Sequence, residues 1–227
     1  MSFFDDLIAA TSAERAAFTA IPQIRDGLRG RISRETYVAY LAQAYHHVRH
    51  TVPLMQLARG RLDSGHARYK TALDDYIVEE TGHEQWILND IRAAGGDPDE
   101  TVRNGPNAAT EIMIAYAHDY VGRIAPMGFF GMVFVLESVS IQLASLGADA
   151  VRGSLGLPPN AFTYLVSHGA LDQDHIAFLK GLLDAVEDAR DRDAIVHMAR
   201  RMFGLFGDVF RSIPHDALRE KELSHAV

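Results

Sequence analysis

The run Met127 to Leu143 (Met-Gly-Phe-Phe-Gly-Met-Val-Phe-Val-Leu-Glu-Ser-Val-Ser-Ile-Gln-Leu) is apolar on every side of a helix. Such a segment needs cover all round, so it belongs at the centre of a helical bundle. The rest of the chain can supply that cover, because its apolar residues recur at three and four rather than at two. Residues 3–19 form an amphipathic stretch, with Thr11 and Glu14 spaced as in a capping box and Ile21-Pro22 as its end. Ser33 is placed to cap a second helix running to about Arg61, with a bend expected at Pro53. A third helix spans 66–95 and stops at Gly95-Gly96-Asp97-Pro98, and a fourth covers about 108–124. After the central run come a helix through His168 to about Ala189 and a last one from roughly Arg192 to Ser212. The expectation is an all-α, single-domain bundle of about seven helices over 1–214, followed by a polar tail at 215–227.

The 227 residues, 48% of them hydrophobic, suffice for one sizeable core. Twenty-two basic against 30 acidic residues give a net charge of −8, which works against a grip on phosphate backbone, so nucleic acid is not an expected partner. There is no cysteine, hence no disulfide framework, thiolate metal site or cysteine nucleophile. Met1-Ser2-Phe3-Phe4-Asp5-Asp6 is acidic where a secretory signal is basic, and no apolar run reaches the roughly 20 residues of a membrane span. A cytoplasmic protein without a membrane partner is expected.

Chemistry-bearing residues recur at helical spacing. His168, Asp172 and His175 stand at i, i+4 and i+7, which stacks two imidazoles and a carboxylate on one face. Glu80 and His83, three apart, share a face of the third helix, while Glu79 and Glu84 are expected to point into solvent. Glu137 is the one acid in the central run. A buried carboxylate must be protonated, hydrogen-bonded or paired with a cation, and the His168 face could equally be a polar seam satisfied by hydrogen bonds. Counted together, the three segments offer three carboxylates and three imidazoles. Two metal ions can share them if Glu80 and Glu137 bridge or flank, with His83 and His168 on one ion and Asp172 and His175 on the other. Such donors suit iron or manganese, and the missing thiolates argue against structural zinc. His46 and His50 form an i, i+4 pair with no carboxylate in register, which suggests a pocket-lining or hydrogen-bonding role. Phe130 and Phe134 could line an apolar substrate cavity beside Glu137, with Tyr45, His46 and His50 at its polar end. Gly128 and Gly131 would allow close helix approach or leave room for a ligand.

Taken in order, Glu80-x2-His83, a lone central Glu137 and His168-x3-Asp172-x2-His175 resemble the haem-oxygenase-like di-iron oxidases and oxygenases, relatives by fold of the TenA thiaminases and of the pyrroloquinoline quinone synthase PqqC. The resemblance covers nearly the whole chain. The position seven before His83 is Tyr76 rather than a glutamate, so the chain looks like the Glu-x2-His branch that includes the medium-chain fatty acid decarboxylase. A TenA thiaminase would carry a catalytic cysteine, and a haem oxygenase would carry a histidine on its first helix, whereas the first histidine here is His46. One branch places tyrosines before the central glutamate and before the histidine helix. This chain has Leu136 at the first place and Tyr164 at the second, which adds Tyr164 to the pocket candidates. The resemblance implies a TenA/PqqC-like fold, two Fe(II) ions with manganese as the alternative, O2 as co-substrate, and a small carboxylic or amino acid as substrate. It also implies a homodimer and an external electron donor. The other reading is a metal-free helical binding or regulatory protein that keeps the fold without turnover.

Overall fold

The computed structural model describes residues 2–215, the side chains of 142–145 and 168–174 excepted. Twelve α-helices occur among the described residues, and no strand. In order they are α1 (Phe3–Ala10), α2 (Ser12–Thr19), α3 (Pro22–Gly27), α4 (Arg34–Val48), α5 (Thr51–Arg61), α6 (Ala67–Glu80), α7 (His83–Ala93), α8 (Pro98–Asn104), α9 (Ala108–Asp119), α10 (Phe129–Leu155), α11 (Thr163–Asp184) and α12 (Ala189–Arg211). The expected all-α domain is there, with more helices than seven. Three expected helices are each cut in two, and α3 and α8 are additional short ones.

The cuts have local causes. Thr11 does not cap α2; its hydroxyl donates to the carbonyl of Leu7 at 2.8 Å and closes α1 instead. Pro53 does not bend a long helix. Its ring would clash with the carbonyl of residue 49, so α4 ends at Val48 and Pro53 sits in the first turn of α5, where a missing N–H costs nothing. Between α6 and α7, Thr81 is extended (φ −67°, ψ 119°) and Gly82 is left-handed at φ 93°, a conformation that a residue with a Cβ rarely adopts.

Two of these cuts also follow from the packing. The buried apolar residues form two clusters. The larger holds Leu54, Met55 and Ala58 of α5, Leu73 and Tyr76 of α6, residues 129–139 of α10, and the inner faces of α1, α9 and α12. The smaller holds Tyr37, Leu41 and Val48 of α4, Ile87 and Ile91 of α7, Val151 of α10 and Tyr164 of α11. The α4–α5 and α6–α7 breaks are where the chain crosses from one cluster to the other. α10 and α11 cross without breaking, and α10 packs most extensively on α11 and α12, as its all-round apolarity requires. Gly131 serves close approach: a Cβ there would overlap the carbonyl oxygen of Ile195 on α12. Gly128 faces the ring of Tyr120 in the same way. Among the described residues, no single helix is long and apolar enough to cross a membrane. Of the tail expected from 215 onward, only His215 is described, and its Nε2 lies 2.9 Å from Asp26 Oδ2.

Candidate metal centre

Glu80, His83, Glu137 and His175 stand where helices of the two clusters meet. Glu80 is the last residue of α6 and His83 the first of α7, so the two do not share one helical face as expected. The Gly82 turn brings them together instead, with His83 Nδ1 2.9 Å from Glu80 Oε2 and both side chains nearly buried. From α10 and α11, Glu137 Oε1 lies 3.9 Å from His175 Nδ1, again with both side chains nearly buried. The donors thus form two carboxylate–imidazole pairs. Among the described residues, no three such side chains converge in a way that could hold a metal ion. His168 and Asp172, the other two expected ligands, lie outside the residues whose side chains are described.

Each imidazole is oriented by its surroundings. Trp86 stacks on His83 with centroids 4.0 Å apart and planes 26° apart, and Tyr76 meets His175 edge-on at 5.4 Å. Glu79, expected in solvent, is half exposed but reaches His175 Nε2 at 3.1 Å. As a carboxylate Glu79 accepts from Nε2–H, which in the neutral imidazole leaves the lone pair on Nδ1, the nitrogen facing Glu137. A carboxylate behind a histidine is the usual way of aiming a metal-binding nitrogen. By the same reasoning, His83 donates Nδ1–H to Glu80, which in the neutral imidazole leaves the lone pair on Nε2.

Glu80 and Glu137 both line a cavity of about 200 Å³ that runs along α10 from Phe129 to Val151. Its walls are mainly aliphatic and aromatic, and no lysine or arginine is among the described lining residues. Of the expected pocket residues, Tyr164 lines it. The other five are elsewhere. His46 is buried with Nε2 3.0 Å from the Thr101 carbonyl, and His50 pairs with His118 at 3.3 Å. Tyr45 faces a separate hollow beside Gly82, while Phe130 packs on Tyr69 and Phe134 on Phe4. His47, passed over in favour of its neighbours, does line the cavity.

Asp90 of α7, fully buried, joins the two histidine-bearing helices. It accepts from the Thr163 hydroxyl and from the Tyr164 backbone N–H at 2.8 Å, so an acid on α7 caps the start of α11. Burial raises its carboxyl above the ordinary aspartate value of 3.8, against the pull of those hydrogen bonds. A raised folded-state value means that the folded protein holds this proton more tightly than the unfolded chain. The stability is therefore fully present below the unfolded value and declines as pH rises through the folded one. In urea titrations across that range, Asp90→Asn is expected to flatten this decline. Asp90→Ala, which also loses the cap, is expected to cost about 2 kcal/mol.

The helix order and the central covered helix define a haem oxygenase-like fold. The structure superposes with a TM-score of 0.83 on a domain of unknown function with that fold from Shewanella denitrificans OS217, at 21% identity over 99% of this chain and 95% of the other. A TenA homologue from P. horikoshii OT3 gives 0.77 at 8% identity, covering 93% and 97% of the two chains. Haem oxygenase-1 from the cyanobacterium Synechocystis sp. PCC6803, in complex with haem, gives 0.76 at 11% identity, covering 99% and 97%. At such identities these likenesses concern the fold. Residues 38–207 match the family model described as iron-containing redox enzyme, and the chain belongs to that family. No functionally curated protein matches the sequence.

Proposed function

We propose that this protein is a non-haem di-iron enzyme that uses O2 to oxidise a small organic acid held in the cavity along α10. Glu80, His83, Glu137 and His175 would hold two ferrous ions, together with His168 and Asp172. The observation that carries the reading is the placement of two nearly buried glutamates, each beside a histidine, on the wall of an otherwise mainly apolar cavity. The donor set fits the group: hard carboxylates and borderline imidazoles are what iron accepts, and burying them together without a cation is costly. Bound iron would supply the electrons and open coordination sites that O2 chemistry needs.

The chain's own part can be read from the geometry. Glu79 keeps the His175 proton on Nε2, and Trp86 and Tyr76 hold the two imidazole planes, so little reorganisation is needed on binding. Phe129, Met132, Val133 and Leu136 exclude water from the side of the cavity next to Glu137. The apolar walls suit an acid with a hydrocarbon body, such as a fatty acid or an apolar amino acid derivative.

Anaerobic titration with ferrous iron tests the reading. Uptake of about two irons per chain and a transient visible absorbance on adding O2 are the expected results. A metal-free binding protein of the same fold would take up none. Gly82→Ala probes the joint between Glu80 and His83. A Cβ at Gly82 meets no atom within 4 Å, so its cost is the backbone alone, about 1–2 kcal/mol. Because relief of that strain would rotate Glu80 away from His83, iron affinity is expected to fall about tenfold in the same titration, a larger effect than the small drop in Tm.

A further inference from the structure

Ser140 stands one turn after Glu137 on the same face of α10, and both line the cavity. Its Oγ is buried and has no hydrogen-bond partner. A serine inside a helix ordinarily returns its hydroxyl to the carbonyl three or four residues back, here Glu137 or Leu136, and this one does not. A buried hydroxyl left without a partner costs free energy unless something absent from the bare chain satisfies it. The surroundings indicate what that would be. Glu80 and Glu137 already provide acceptors, and the described lining offers no lysine or arginine to receive an oxygen.

We propose that Ser140 is a substrate-binding residue whose hydroxyl donates to the carbonyl or carboxyl oxygen of an acid with an apolar tail, fixing that end of the molecule one helical turn from Glu137. The assignment rests on the reading of the cavity as a substrate site, and it specifies the substrate's polar end as a hydrogen-bond acceptor held by a neutral donor. A ligand with an amine at that end would meet the same hydroxyl only as an acceptor and would not need it, since the glutamates serve that role.

The test uses octanamide, an uncharged carbonyl compound that the glutamates do not repel, so that binding to the metal-free protein can be followed by calorimetry. Ser140→Ala is expected to raise its Kd about tenfold, the loss of one donated hydrogen bond, while Ser140→Thr, which keeps the hydroxyl, stays within about twofold of wild type. The Tm of Ser140→Ala is expected to equal or exceed that of wild type, because the free protein loses an unsatisfied group, whereas a merely structural serine would lower it. An unchanged Kd in Ser140→Ala overturns the assignment, and so does failure of octanamide to bind wild type. Both results are independent of iron uptake, which alone decides the metal-centre reading.

Discussion

Replacing Glu137 by alanine is expected to lower iron affinity by more than about 100-fold, beyond the loss that follows removal of an outer partner of a metal ligand. Glu137 is the acid in the buried first half of α10, 8% exposed, and it stands between the cavity and His175. Its burial has a second effect. In the metal-free protein a carboxylate in this position costs desolvation energy, so Glu137→Gln, which keeps the volume, should leave stability within about 1 kcal/mol of wild type or raise it. The informative measurement is Tm with and without ferrous iron under nitrogen. Wild type should gain several degrees on adding iron, and Glu137→Gln should gain none from a starting Tm close to that of wild type. A Glu137 variant that kept its iron-dependent gain would move the centre elsewhere.

The second large effect is purely structural. Gly131→Ala places a methyl group against the backbone of α12, overlapping the Ile195 carbonyl and 3.0 Å from the Ala199 nitrogen. Backbone of a packed helix cannot step aside as a side chain can, so α10 and α12 must separate along the most heavily covered helix of the protein. The expected cost is about 3 kcal/mol, or roughly 10 °C in Tm for a domain of this size. Gly204→Ala on the exposed side of α12 is the control. Its Cβ meets nothing, and replacing glycine inside a helix there should gain up to about 1 kcal/mol. Thermal unfolding of the two variants side by side separates close packing from helix propensity.

Segment type and the central position of 127–143 could be read from the sequence because both depend on periodicity, which tertiary contacts reinforce. The helix breaks could not. The apolar repeat of 66–95 continues in phase across Gly82, and nothing local says that Tyr76 and Ile87 belong to different clusters. For the same reason the Glu80–His83 contact was expected with the wrong backbone beneath it. His47 was hidden by a spacing argument: pairing His46 with His50 ignores that Tyr37, Tyr40 and His47 lie on one side of α4, the side that meets the cavity. Asp90 left a usable signal, an acid three after Ile87 and one before Ile91 in a buried stripe. Glu79 left none, since its role depends on a histidine 96 positions away.

The buried residues of the smaller apolar cluster lie between Tyr37 and Tyr164, and those from Phe3 to Ile24 and from Leu179 to Val209 belong to the larger one. The chain therefore crosses between the two bodies six times: between Ile24 and Tyr37, at 49–50, at 81–82, between Ala94 and Met113, and along α10 and α11. Residues of both bodies wall the cavity, so ions bound across that gap would latch one to the other.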